Sequence, residues 1–179
     1  MKFTETPLKG AFLIEPEQVD DERGFFARVF CEKEFAAHGL ETRFVQCSVS
    51  FNLRKGTLRG MHYQTPPHVE TKIIRCTGGS IYDVIVDLRR DSSTYNQWAA
   101  FELSATNYRL LYVPAGFAHG FQTLEDNCEV FYQISPFYVP GAARTVQWDA
   151  PELGIRWPMV PSIMSERDAG NGSLNAGAR

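Results

Sequence analysis

Two histidines, a lysine and a late pair of tyrosines are the residues in this chain whose types could do proton chemistry. His62 stands in Gly56–Gln64, a glycine-flanked segment reading GTLRGMHYQ, and Lys72 follows shortly after. His119 closes the segment VPAGFAH at Val113–His119, and Tyr132 and Tyr138 lie in VFYQISPFY at Val130–Tyr138. An imidazole titrates near neutrality and can take a proton from carbon beside a ketone. That step succeeds only if a cation or hydrogen-bond donor meets the negative oxygen as it forms, and Lys72 is the candidate. Inverting the carbon then requires a proton from the opposite face. A tyrosine hydroxyl can supply it if nearby positive charge stabilises the phenolate.

The same two segments resemble the paired motifs of the cupin superfamily. There, His-x-His with a following Glu and Pro-x-Gly-x-x-His together bind a divalent metal on a barrel wall. Here Pro114, Gly116 and His119 keep the second motif. The first is altered: His62 holds the first ligand position, Gln64 replaces the second histidine, and Lys72 lies near the place of the glutamate. An ammonium has no lone pair for a metal, and an amide is a poor ligand for transition metals. The expectation is a cupin pocket with no metal. A metal-dependent cupin such as a dioxygenase stays open on the second motif alone, and so does a sugar-nucleotide binding module without catalysis.

The elements that must hold these residues read as short strands. Candidates are Phe25–Phe30, Thr71–Cys76, Ser80–Asp87, Ala99–Leu103, Tyr108–Val113 and Glu129–Ile134. The strands flanking Gly78 and Gly79 predict a hairpin. Along Ser80–Asp87, Ile81, Asp83, Ile85 and Asp87 alternate with Tyr82, Val84 and Val86, so the two faces differ. One short helix is predicted at Glu32–Ala37, stopped by Gly39. Many short strands between Gly and Pro turns predict an all-β jelly-roll sandwich or barrel with a few short helices. Residues 1–168 form one domain in this reading, and the Gly, Asn, Ala and Ser-rich residues 169–179 a flexible tail.

Composition bounds the partners. The 179 residues carry 18 basic and 21 acidic side chains, a net charge of -3, with no basic stripe for nucleic acid. Any anionic ligand must be held by a few local arginines. No apolar run opens the chain or approaches a membrane span. The four cysteines show no CxxC pair, which fits reduced thiols in a cytoplasmic protein.

Beyond the cupin motifs, the chain resembles the dTDP-4-dehydrorhamnose 3,5-epimerase family over nearly its whole length. The matching segments are Asp21–Phe26, Leu58–Gln64, Lys72–Cys76, Tyr82–Arg89, Val113–Phe121, Trp148–Asp149, Leu153–Pro158 and Ser165–Asp168, in shared order and spacing. The resemblance implies a homodimer of jelly-roll subunits that inverts C3 and C5 of a 4-keto-6-deoxyhexose on dTDP, without metal or cofactor. It implies His62 as base, Asp168 as the carboxylate orienting it, and Tyr132 as proton donor. It further implies Tyr138 as an aromatic stacking near the base, Lys72 and His119 as sugar contacts, and Arg23 and Arg59 as diphosphate ligands. Departures cluster around the nucleotide: Arg28 replaces a common Glu, the Gln-Asp-Asn segment reads Gln46, Cys47, Ser48, Ala143 replaces a Glu, and Arg167 replaces a Lys. Gln46, Ser48, Arg28 and Arg167 are therefore substrate-binding candidates. Inversion of a single centre on a related sugar nucleotide is the alternative these departures keep open.

Overall fold

A computed structural model of the chain describes residues 1–170. In chain order the strands are β1 (Lys2–Glu5), β2 (Phe12–Glu15), β3 (Gln18–Asp21) and β4 (Gly24–Ala27). The helix α1 (Glu32–Ala37) follows, then β5 (Gln46–Asn52), β6 (Leu58–Gln64), β7 (Thr71–Gly78) and β8 (Ser80–Asp87). The rest are β9 (Trp98–Ser104), β10 (Leu110–Val113), β11 (Phe117–Thr123), β12 (Cys128–Ser135) and β13 (Ala143–Thr145). They form a six-stranded sheet in the order β1-β2-β10-β7-β12-β5, a five-stranded sheet in the order β13-β6-β11-β8-β9, and a separate β3-β4 ribbon. The fold is the all-β, jelly-roll-like architecture that the strand pattern predicts. Most of the predicted tail, residues 171–179, lies outside the described residues.

The two large sheets face each other across a core of Ile74, Cys76, Ile81, Ile85, Leu103, Leu111, Phe121 and Val130. β8 shows why both faces of a strand can be apolar. Ile81 and Ile85 point into this core, while Val84 and Val86 join Met61, Ala118 and Leu153 in a second cluster on the other side. The outer face of the six-stranded sheet is covered by α1, with Phe35 packed on Ile14, Ile73 and Leu110. Helix α1 has the predicted bounds and ends where Gly39 takes φ +69°.

The predicted hairpin at Gly78 and Gly79 does not form. β7 pairs with β10 and β12, whereas β8 pairs with β11 and β9, so the glycine turn passes the chain from one sheet to the other. Gly79 has φ +69°, and a Cβ there would stand 2.7 Å from the Cys128 sulfur. A tight turn signal reports a reversal of the chain but not which strand it will pair with. The predicted strand at Phe25–Phe30 also stops early, at Ala27.

Candidate active site

A cavity of about 380 Å³ opens between the two sheets. The five-stranded sheet contributes Arg59, His62, His119 and Ala143 to its lining, and the six-stranded sheet contributes Ser48, Ser50, Lys72, Tyr132 and Ile134. Tyr138 and Arg167 border it from the loops after β12 and β13.

Strand β6 carries the two residues closest to the expected chemistry, and strict alternation would send them to opposite faces. A bulge prevents that. His119 sits opposite His62 and Phe121 opposite Arg59, so two steps along β11 match three along β6. Gly60 absorbs the extra residue at φ +124°, where a Cβ would lie 2.5 Å from the Gly120 Cα. Only glycine fits so close a backbone approach. Arg59 and His62 thereby both face the cavity.

The His62 Nε2 lies 2.6 Å from Asp168 Oδ1, and Gly60 N–H donates to the other carboxylate oxygen at 3.3 Å. Burial pushes the Asp168 carboxyl up, but its bonds to His62, Gly60 and Ser165 win and hold it below the usual carboxylate range. An ionised Asp168 accepts Nε2–H, which leaves the Nδ1 lone pair as the basic position of the ring. His119 repeats the arrangement in a drier place: its Nε2 is 2.8 Å from Asp83 Oδ2, and both side chains are buried. Burial pushes the Asp83 carboxyl up against the opposing pull of His119 and Lys72. Asp83 Oδ1 has no hydrogen-bond partner among the described residues.

On the facing sheet, Tyr132 stands edge-on to the His119 ring at 6.0 Å between centroids. Burial, with the charge of Asp83, raises the Tyr132 phenol above its ordinary value, and Arg59 opposes the shift. The hydroxyl therefore stays protonated through the neutral range. Arg59 is fixed by its Nε–H, which donates to Asn52 Oδ1 at 2.7 Å. Lys72 is buried, its Nζ 2.8 Å from Glu70 Oε1.

The remaining sequence candidates divide. Ser48 lines the cavity, as does Arg167, whose Nε–H donates to Thr145 Oγ1 at 2.9 Å. Gln46 is not in the lining, but its side-chain oxygen accepts the Tyr138 backbone N–H and so holds that residue at the rim. Arg23 and Arg28 lie elsewhere. Arg23 pairs with Asp21 at the tip of the β3-β4 ribbon with 89% of its side chain exposed, and Arg28 pairs with Glu34. Sequence reasoning missed Glu70 and Asp83 as site residues. Asp83 gave a signal, a carboxylate on the inward face of an apolar strand, whereas Glu70 sits in a loop with nothing to mark it.

Among the described residues, no group of three or more His, Cys, Asp or Glu side chains is placed to hold a metal ion. At the cupin ligand positions the donors are otherwise engaged. Gln64 Oε1 accepts the Val139 N–H at 2.8 Å, and Lys72 presents an ammonium to Glu70. These residues do not fit a divalent metal.

A two-sheet β-fold of the cupin-like class thus lines its internal cavity with a carboxylate-held imidazole from one sheet and a protonated tyrosine from the other, the residue types that an epimerase uses. The comparisons with known proteins agree. The sequence profile of the dTDP-4-dehydrorhamnose 3,5-epimerases matches residues 5–176, and the chain belongs to that family. An enzyme of that name from Methanothermobacter thermautotrophicus is 45% identical over 170 residues, covering 93% of this chain and 91% of the relative. The Bacillus anthracis enzyme, solved with TDP and PPi bound, superposes with a TM-score of 0.91 at 43% identity, covering 94% of this chain and 96% of that one. The Legionella pneumophila enzyme in complex with dTDP-4-keto-L-rhamnose gives a TM-score of 0.88 at 35% identity, covering 94% and 90%.

Proposed function

We propose that this chain inverts C3 and C5 of dTDP-4-dehydro-6-deoxy-D-glucose, giving dTDP-4-dehydro-L-rhamnose for the making of dTDP-L-rhamnose. The observation that carries the reading is that base and acid come from opposite walls. His62 belongs to the five-stranded sheet and Tyr132 to the six-stranded one, with the cavity between them. Inversion needs that arrangement, because the proton leaves one face of the ring and arrives at the other. His62 Nδ1 removes the proton beside the C4 ketone, and the electron pair of the C–H bond moves onto the ketone oxygen as an enolate. The Lys72 ammonium and His119 meet that oxygen. The electron pair then returns to carbon, which takes a proton from Tyr132, and Arg59 steadies the phenolate left behind.

Arg59 and Arg167 are the cavity cations left for the diphosphate, with Ser48 and Tyr138 toward the nucleoside. Arg23 and Arg28 reach a diphosphate only if a second copy brings them. The β3-β4 ribbon leaves Val19, Phe25 and Phe26 exposed, so a homodimer accounts for both the arginines and the apolar surface. The reading puts the protein in a reducing compartment, the cytoplasm, and the four free cysteines support it. Among the described residues no helix is long and apolar enough to cross a membrane.

Incubation with the 4-keto substrate in heavy water tests the reaction. Deuterium at both C3 and C5 with both centres inverted is the expected result, read by NMR. Label at one centre alone would replace the double inversion with a single one, and no label would remove the enolisation mechanism.

A further inference from the structure

The carboxylate of Glu70 has its two oxygens committed to two different parts of the cavity. Oε1 takes the Lys72 ammonium at 2.8 Å, and Oε2 takes the Gln64 side-chain N–H at 3.3 Å. Gln64 is itself buried, and its oxygen accepts the Val139 backbone N–H at 2.8 Å. Val139 follows Tyr138, whose own N–H is held by Gln46. The side chains of Glu70 and Lys72 are each only 9% exposed. A continuous polar path thus runs from the ammonium at the reacting end of the cavity to the backbone that carries the aromatic at its mouth.

We infer that Glu70 is a positioning residue that ties the Lys72 ammonium to the Tyr138–Val139 segment, so that nucleotide seating and oxyanion stabilisation depend on one carboxylate. The polarity of the path makes this specific. Gln64 spends its two N–H donors on Glu70 and the His68 carbonyl and its acceptor on Val139, so residue 70 must offer an acceptor on both sides. An amide at 70 could still accept from Lys72, but its NH₂ would then face the NH₂ of Gln64. Gln64 must either lose that bond or turn over, and turning over takes its acceptor away from Val139. Buried networks of this kind are worth more when complete than their separate bonds suggest.

The inference rests on the dTDP-sugar reading above, and the test separates the two. Binding of dTDP is measured calorimetrically for the unaltered protein, for Glu70→Gln, and for the exchange variant Gln64→Glu with Glu70→Gln. The exchange restores polarity along the path: the new amide at 70 accepts from Lys72 and donates to the new carboxylate at 64, which still accepts from Val139. It gives up the Gln64 bond to the His68 carbonyl, which then faces a carboxylate oxygen, and moves the negative charge from residue 70 to residue 64, so the recovery is partial. Glu70→Gln is expected to weaken dTDP roughly fivefold, and the exchange variant to return part of that loss. A residue serving stability alone would lower the melting temperature without this pattern in affinity. Unchanged dTDP affinity in Glu70→Gln, or no recovery in the exchange variant, overturns the inference. Failure of the unaltered protein to bind dTDP would overturn the substrate reading and this inference together.

Discussion

The imidazole of His62 and the carboxylate of Asp168 meet at 2.6 Å although 106 residues separate them in the chain. One belongs to a central strand and the other to the turn that ends the described residues. Their contact decides which ring nitrogen is basic. Asp168→Asn is expected to cut turnover about 10²- to 10⁴-fold. An amide donating to Nε2 forces the ring proton onto Nδ1 and removes the free lone pair. His62→Ala should abolish deuterium wash-in at the carbons next to the ketone. Steady-state kinetics and NMR exchange measure the two effects, and normal exchange in His62→Ala would end the base assignment.

Tyr132→Phe separates proton removal from proton delivery. Its partner on the facing sheet is intact, so exchange of the α-hydrogen with solvent should persist while inversion falls by about 10² or more. Label appearing in unepimerised substrate is the expected NMR signature. Equal loss of exchange and inversion would place Tyr132 on the wrong step. The raised phenol supplies a second check. Burial raises the Tyr82 and Tyr112 phenols as well, so an ultraviolet alkaline titration of the folded protein should show several tyrosines ionising late, and one fewer of them in the variant.

Acid should destabilise this protein through two carboxylates in particular. Asp168 and the fully buried Asp87 are both held below their ordinary pKa, in each case because hydrogen bonds outweigh the cost of burial. Asp87 takes bonds from Arg89, Ser92 and Thr94. On acidification the unfolded chain takes up these protons first, at about pH 3.9. Their contribution is therefore complete above that pH and is lost as pH falls toward the depressed folded values. Denaturant midpoints followed from pH 7 to pH 3 should fall, and Asp87→Asn should be less stable at pH 7 and flatter in its acid response.

Gly60→Ala is expected to cost ~2 kcal/mol or more, because the added methyl meets the Gly120 backbone and the position needs positive φ. Chemical denaturation measures the loss. A near-neutral result would mean the strand can relax there without disturbing the bulge.

Much of the site was legible because its residues sit in short segments with fixed spacing. His62, Lys72, His119 and Tyr132 could be named before any fold was known. So could helix α1, whose start and stop are local signals. The misreadings are of another kind. The Gly78–Gly79 turn reads as a hairpin in the sequence because the true pairing depends on β10 and β12, far along the chain. Glu70 passed unnoticed because its partners are set by a loop conformation rather than a period. Arg23 matched the family segment and Arg28 departed from it, yet both lie outside this chain's own cavity, since spacing along the sequence does not say which cavity a residue reaches.

The bulge in β6 also makes the parity of that strand a functional quantity. Deleting residue 60, instead of substituting it, would give β6 a regular two-residue period against β11. The strand could then pair flawlessly and keep its guanidinium on the His62 side, because two steps of a regular strand return to the same face. Straightening the bulge with residue 60 kept would instead turn the guanidinium outward, so a polypeptide can keep its architecture and forfeit its anion grip through strand parity alone.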